Sequence, residues 1–160
     1  MQLKPYIAVD NTIKDTFEFI SKLKEINIEP SDHMASLNVV SLFTRIPVSE
    51  TIAYIKTLIP AYTFPISLNT IGELLELSCK NILFSFNEKL FTQKDGMCIG
   101  SNLGPTMAAF AMHMVEKKLS KMPKFYKRYV DDIFFITNNK AEADNPVSYT
   151  HLTLPTIYSV

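Results

Sequence analysis

Two adjacent carboxylates, Asp131 and Asp132, are the residues of this chain whose types and spacing best suit chemistry. Apolar, β-prone runs flank them, at residues 125–126 on one side and residues 133–136 on the other. Two such runs joined by a short polar turn predict a β-hairpin with both carboxylates at its tip. Paired carboxylates favour hard divalent cations, and two such ions about 4 Å apart can catalyse phosphoryl transfer. A simple polar turn between two strands is the alternative interpretation.

The composition predicts one globular unit without a strong overall electric field. The chain has 160 residues, 47% of them hydrophobic and 20% charged, with 16 basic and 16 acidic side chains. This balance excludes the large net positive charge typical of many nucleic-acid-binding proteins, so any such affinity must come from a local patch. The candidate patch, interleaved with aromatic residues 125 and 126, is Lys117, Lys118, Lys121, Lys124, Lys127 and Arg128. A solvated loop is the alternative for this run of charge.

The cysteines and the N-terminal sequence indicate an intracellular protein, with nucleus and cytoplasm left open. Cys79 and Cys98 form no C-x-x-C pair, so we expect buried thiols in a reducing compartment. The first residues lack the apolar region of a secretory signal. Residues 96–115 carry no Asp, Glu, Lys or Arg, but their polar residues and the Gly104-Pro105 step predict a buried helix of a non-membrane protein.

The elements that must position the carboxylates follow from hydrophobic periodicity. A helix capped by Asn11 or Thr12 is expected to place Phe17 and Ile20 in the core. Residues 34–42 are too apolar for an exposed edge, so they predict a central strand. Two helices, a hairpin around Asn87-Glu88 and a longer helix after Gly104-Pro105 then precede the carboxylate hairpin. This order indicates an α+β fold, a small antiparallel sheet covered by helices on one face.

Three segments resemble the sequence motifs of reverse transcriptases, in the family's order. The tetrapeptide at residues 129–132, Tyr-Val-Asp-Asp, resembles motif C. Residues 93–105, QKDGMCIGSNLGP, resemble motif B. Residues 37–47, LNVVSLFTRIP, resemble motif A in the form found in Penelope-like retroelements. The chain is therefore similar to the palm of a Penelope-like reverse transcriptase.

The resemblance implies an RNA-directed DNA polymerase of a mobile element that uses Mg²⁺ or Mn²⁺. Its partners would be an RNA or DNA template with its primer, and deoxynucleoside triphosphates. Asp131 and Asp132 would be metal ligands, but Asn38 stands where motif A normally supplies the third carboxylate. The amide lacks a negative charge, so we expect impaired catalysis; a loss near 10³-fold corresponds to about 4 kcal/mol. A non-catalytic nucleic-acid-binding remnant and a degenerate gene product are the alternatives.

The resemblance also assigns substrate-binding positions. Phe43 corresponds to the residue that excludes a ribose 2′-hydroxyl, although a core phenylalanine is the alternative. Gln93, Gly100 and Ser101 would lie near the template and the nascent base pair, and Tyr129 beside the carboxylates. Motif B also contains glycines 96 and 104, and glycines gathered in one loop indicate a backbone that approaches something closely.

The expected domain is a partial reverse transcriptase domain over residues 1–140. By resemblance, fingers should precede it and a thumb should follow it in a full-length protein. Residues 147–156 look unlike the family and resemble translated sequencing-adapter DNA. We therefore expect residues 141–160 to be a disordered or non-native tail, with an ordinary final strand as the alternative.

Overall fold

A computed structural model describes residues 11–60, 63–119 and 122–144 of the chain. Its elements follow the predicted order, with a 3₁₀ turn and a short final helix in addition. They are α1 (Thr16–Lys24), β1 (His33–Asn38), the 3₁₀ turn (Phe43–Arg45), α2 (Val48–Leu58), α3 (Leu68–Cys79), β2 (Leu83–Phe86), β3 (Lys89–Thr92), α4 (Gly104–Glu116), β4 (Phe125–Tyr129), β5 (Asp132–Thr137) and α5 (Lys140–Asp144).

The described residues divide into two compact units. One contains residues 41–115 and the other contains residues 11–40 together with 116–144. The helix α5 crosses the predicted domain boundary at residue 140, and the remainder of the predicted tail, residues 145–160, lies outside the described residues.

The second unit is built on a three-stranded antiparallel sheet in the order β1-β5-β4. The predicted central position of residues 34–42 is wrong, because β5 is the middle strand of this sheet and β1 lies at its edge. The strand also ends earlier than predicted, at Asn38. Ser41 turns the chain with a φ of 56°, so Val40 is exposed and Leu42 is buried after the strand has ended. The apolar run therefore forms a strand followed by a turn. Its length and hydrophobicity led to the wrong prediction of a central strand.

Helix α1 packs on this sheet through a residue that its apolar stripe did not single out. Asp15 caps the helix by accepting from the backbone N–H of Glu18 at 2.8 Å, so the helix starts later than predicted. Phe17 is 85% exposed and Ile20 43% exposed, which makes their predicted core positions wrong. Phe19 instead contacts the rings of Phe125 and Phe134, with centroids 6.2 and 5.3 Å away.

In the first unit, α2 and α3 bury one face each. Ile55 is fully buried in α2, and Ile71, Leu75 and Cys79 are buried in α3. Ser67 caps α3 by accepting from the backbone N–H of Thr70 at 3.1 Å. Both helices were predicted from their periodicity and are present, but Leu74 and Leu77 of α3, which the same periodicity assigns to the buried face, are 47% and 78% exposed.

The remaining elements of the first unit are the β2–β3 hairpin and α4. Asn87 and Glu88 have φ values of 53° and 61°, the left-handed pair that a two-residue type I′ loop requires. Helix α4 begins at Gly104, with Pro105 in its first turn, as predicted. No helix among the described residues combines the length and apolar character needed to cross a lipid bilayer.

Candidate active site at the motif C hairpin

The sheet brings the motif A position beside the paired carboxylates. Asn38 is the cross-strand partner of Asp132 in the β1–β5 ladder, and its Nδ2 donates to Asp132 Oδ1 at 3.0 Å. The backbone carbonyl of Asp131 accepts from the N–H of Val39 at 2.9 Å. Of the convergence expected from the sequence, the structure shows the contact between Asn38 and Asp132, while Asp131 contacts β1 through its backbone oxygen.

The carboxylates lie at the tip of a tight and strained hairpin. Tyr129, the last residue of β4, pairs with Asp132, the first residue of β5, so Val130 and Asp131 form a two-residue loop. Val130 has a φ of 54°, and β-branched residues rarely adopt the left-handed region. Glycine is the usual residue at such a loop position. The turn therefore carries strain next to both candidate metal ligands.

A cleft of about 820 Å³ opens on the sheet face that carries Asn38, Asp132 and Tyr129. Side chains alternate between the two faces of a strand, so these cross-strand neighbours share a face. The cleft is lined by both apolar and polar side chains. The other lining residues are Ile13, Lys14, Asp15, Thr16, Phe19, Ser36, Leu37, Lys127, Ile133 and Phe134. Such a mixture suits a ligand with both an apolar surface and charged groups.

The opposite face of the hairpin holds a buried ion pair that was not predicted from the sequence. Arg128 and Glu116 have side chains only 2% and 4% exposed, and Arg128 Nε donates to Glu116 Oε1 at 2.6 Å. Tyr126 donates its hydroxyl to the same oxygen at 3.1 Å. Burial and the adjacent Glu116 carboxylate raise the pKa of Tyr126. The sequence could have predicted this burial, because successive side chains of a strand point to opposite faces. Arg128 therefore lies on the same face as Tyr126 and on the opposite face from Lys127.

The predicted basic patch is distributed over several environments. Lys117 and Lys118 are exposed, whereas Lys127 lines the cleft. Lys124 contacts Asp32 at 2.7 Å. Arg128 is buried and engaged with Glu116, so its guanidinium offers no exposed face to a phosphate. Lys121 lies outside the described residues.

The motif B glycines have three different surroundings in the first unit. Gly96 has a φ of 81°, and a Cβ added there would lie 2.5 Å from the backbone oxygen of Thr44. Gly100 has a φ of 91°, with no atom within 4 Å of such a Cβ. A Cβ at Gly104 would lie 3.2 Å from the ring of Phe43. The close approach expected for this loop is that of Gly96 to the 3₁₀ turn within motif A, while Gly100 faces open space.

The other predicted substrate-binding residues of this loop make local contacts. Gln93 Nε2 donates to the backbone oxygen of Asp95 at 2.9 Å, and Ser101 Oγ accepts from the backbone N–H of Leu103 at 3.3 Å. Asp95 Oδ1 accepts from the N–H groups of Val48 and Gly96. The Asp95 carboxylate thereby satisfies a donor at the start of α2, where Pro47 supplies no side-chain cap.

Comparison with known protein families decides the family. Residues 2–154 match the model described as reverse transcriptase (RNA-dependent DNA polymerase). The chain belongs to the reverse transcriptase family. No curated protein sequence gives a significant match.

Solved structures that resemble this reverse transcriptase chain include telomerases of two Candida species. Apo telomerase from Candida tropicalis, truncated from its C-terminal domain, matches with a TM-score of 0.68 and 20% identity, over 94% of this chain and 34% of that one. Telomerase from Candida albicans with a TWJ fragment of telomeric RNA matches with a TM-score of 0.66 and 12% identity, over 93% and 28%. These likenesses show a reverse-transcriptase-like α+β fold. The chain spans about a third of the length of these structures.

The oxygen donors at the hairpin suit a hard cation but fall short of the usual reverse transcriptase set. Asn38 and Asp132 are the side chains that β1 and the hairpin bring together, and each offers an oxygen of the kind that Mg²⁺ prefers. Across the described ranges, no cluster of three or more His, Cys, Asp or Glu side chains is positioned to hold a metal. Asn38 and Asp132 together supply one negative charge, so they suit a hard cation but offset its double charge only in part.

Proposed function

We propose that this chain is the palm portion of an RNA-directed DNA polymerase of a Penelope-like retroelement, with nucleotidyl transfer impaired in this copy. The carrying observation is the Asn38–Asp132 pair, because it sets the motif A position directly beside the motif C carboxylates. The sequence of residues 37–47 supports the Penelope-like assignment, and the reverse transcriptase family match supports the reaction class.

In this proposal the hairpin binds and orients, and the ions supply the electrophilic chemistry. Bound Mg²⁺ or Mn²⁺ would activate the primer 3′-hydroxyl and stabilise the leaving phosphate oxygen. Asp131 and Asp132 would hold the ions, with the amide oxygen of Asn38 as a weaker neutral ligand. Tyr129 and Lys127 line the adjoining cleft, where they would contact the primer terminus or the incoming deoxynucleoside triphosphate on its RNA or DNA template.

Asn38 impairs this arrangement in two ways. Its amide brings no negative charge to offset the cations. Its Nδ2 also donates to Asp132 Oδ1, so a cation must compete with a hydrogen bond for that oxygen. Both residues are exposed, so this hydrogen bond contributes about 0.5–1 kcal/mol, which lowers the affinity for a cation a few-fold.

Phe43, Gln93, Gly100 and Ser101 are retained as proposed substrate-binding positions. Gly100 has the best support, since its backbone faces open space at a φ of 91°. Phe43 is half-buried beside Gly104, which leaves part of its ring available for the proposed discrimination against a 2′-hydroxyl.

Primer extension tests the proposal. This palm would replace the palm of an active reverse transcriptase in a chimaeric polymerase, with and without Asn38→Asp, in Mg²⁺ and in Mn²⁺. We expect the substitution to raise the extension rate by about 10³-fold, a change of about 4 kcal/mol. Asp132→Asn in the restored chimaera is the control and should abolish the gain. Equal rates with Asn and Asp at position 38 would contradict the role proposed for that residue.

A non-catalytic nucleic-acid-binding protein is the second candidate, favoured by the exposure of Lys117 and Lys118 alongside the amide at position 38. Binding without extension in the Asn38→Asp chimaera would favour this candidate over the first.

A further inference from the structure

Arg128 makes side-chain contacts that none of the proposed metal or substrate chemistry uses. Its Nε donates to Glu116 Oε1, while one terminal nitrogen donates to the backbone oxygen of Val130 at 3.1 Å. The other terminal nitrogen lies 3.4 Å from Thr12 Oγ1. The guanidinium is thus connected to an acid, to the strained turn and to the segment before α1.

The backbone of Arg128 is fixed as firmly as its side chain. Its N–H donates to the oxygen of Asn11 at 2.8 Å, and its oxygen accepts from Ile13 at 3.0 Å. The residues on either side of Arg128 belong to the β4–β5 ladder, so the strand around Arg128 is held at both edges. A side chain on so rigid a base can hold a neighbouring turn in place.

The turn needs such an anchor because its own sequence does not favour its shape. Val130 adopts a φ of 54°, a conformation that a β-branched residue leaves readily if nothing holds it. Observed backbone strain persists when the surroundings over-determine the conformation. The contact of Arg128 with the Val130 oxygen acts on the peptide that leads directly into Asp131.

We propose that Arg128 is a positioning residue, which holds the Val130–Asp131 turn in its strained conformation and so sets where the two motif C carboxylates lie. The consequence for ion binding rests on the proposed function, whereas the control of the turn does not. Lysine cannot replace arginine here, since one ammonium group lacks the planar fork that reaches Glu116 and Val130 together.

Amide hydrogen exchange on the full chain tests the proposal. The N–H of Val39 donates to the oxygen of Asp131, so its exchange rate reports whether the hairpin tip stays in place. In Arg128→Lys, we expect Val39 to exchange about tenfold faster through local opening, with Phe135 at the centre of the sheet changed less than about threefold. Unchanged exchange at Val39, or equal acceleration at Val39 and Phe135, would overturn the proposal.

A second background separates positioning from general stability. Val130→Gly allows the left-handed conformation without strain, so Arg128→Lys in that background should alter Val39 exchange by less than about threefold. If Arg128→Lys accelerated Val39 exchange as much in the Val130→Gly variant as in the chain with Val130, the proposal would be overturned. If Arg128→Lys does not fold, the double variant should fold, and its failure to do so would count against the proposal as well.

The outcome is independent of polymerase activity. Selective exchange at Val39 without primer extension by the Asn38→Asp chimaera would leave the positioning role standing and remove the polymerase proposal. Primer extension by the chimaera together with unchanged exchange at Val39 would support the polymerase proposal and remove the positioning role of Arg128.

Discussion

Asn38 and Asp132 face each other across the β1–β5 ladder, and the amide nitrogen of Asn38 lies 3.0 Å from Asp132 Oδ1. In a reverse transcriptase palm this pair of positions would hold two acids that need cations between them. Here a neutral donor satisfies the acid directly. The hairpin is therefore stabilised without cations. The same substitution removes a negative charge that the proposed reaction requires.

Restoring the acid should make the hairpin depend on cations for its stability. Asn38→Asp removes the hydrogen bond and sets two carboxylates opposite each other, so the free energy of unfolding should fall by about 1–2 kcal/mol in a chelator. Mg²⁺ or Mn²⁺ should then raise the melting temperature of the variant more than that of the unaltered chain.

Thermal unfolding with and without the cations measures this effect. Asn102→Asp adds the same charge at an exposed site in the motif B loop and is the matched control. A cation response of the same size in both variants would show that the hairpin is not the binding site.

Two glycines of the motif B loop, Gly96 and Gly100, should differ in how much stability the chain loses when each is replaced by alanine. Gly96→Ala would bring a Cβ within 2.5 Å of the Thr44 backbone oxygen at an unfavourable φ, so the loop must shift. Gly100→Ala meets no neighbouring atom and incurs only the left-handed penalty, about 1–2 kcal/mol. Urea denaturation should show the larger loss for Gly96→Ala, and an equal loss would mean that the close approach to Thr44 is absent in solution.

The sequence predicted the site better than it predicted what surrounds it. Two β-prone runs predicted a hairpin with both carboxylates at its tip, and the structure has Asp131 in the loop and Asp132 at the start of β5. The family resemblance predicted that Asn38 would lie near both carboxylates, and Asn38 pairs with Asp132. The edge position of β1 could not be predicted from the apolar residues of segment 34–42, because three of them, Val39, Val40 and Leu42, lie beyond the strand, where Ser41 turns the chain. Arg128 was wrongly assigned to an exposed basic patch for a related reason. Which face of the strand a charged side chain occupies depends on the alternation of side chains along β4, and not on the local density of charge.

Helix α1 supplies a matched test of its revised packing. Phe19 contacts two rings of the sheet, whereas Phe17 was predicted as core and is 85% exposed. Phe19→Ala should lower the free energy of unfolding by about 1–3 kcal/mol through lost burial and ring contacts. Phe17→Ala should change it by less than about 0.5 kcal/mol. Chemical denaturation of both variants decides between the observed packing and the predicted stripe.

Asp32 should make stability depend on acid pH. The backbone N–H of Glu29 and the Lys124 ammonium lower its pKa below the ordinary value of 3.8. Because the folded pKa is the lower one, the unfolded chain binds the proton first as pH falls. The contribution is present above pH 3.8 and is lost as pH falls through the folded pKa.

Melting temperatures measured across this range should show a shallower acid decline in Asp32→Asn than in the unaltered chain. Lys124→Gln should fall between the two, since it leaves the Glu29 contact in place. An identical acid decline in all three proteins would contradict the linkage.

The exposed lysines after α4 should determine any non-specific affinity for nucleic acid. Each phosphate contact made by a lysine releases about one counterion, so replacing Lys117 and Lys118 by Gln should reduce the slope of log K against log salt by about 2. The matched control replaces Lys22 and Lys80, which are paired with the nearby acids Glu25 and Glu76, and should leave the slope unchanged. Gel-shift titrations with a short primer-template measure both slopes. Equal slopes in the two variants would place the phosphate contacts elsewhere, and a flat response in the unaltered chain would remove the nucleic-acid-binding candidate.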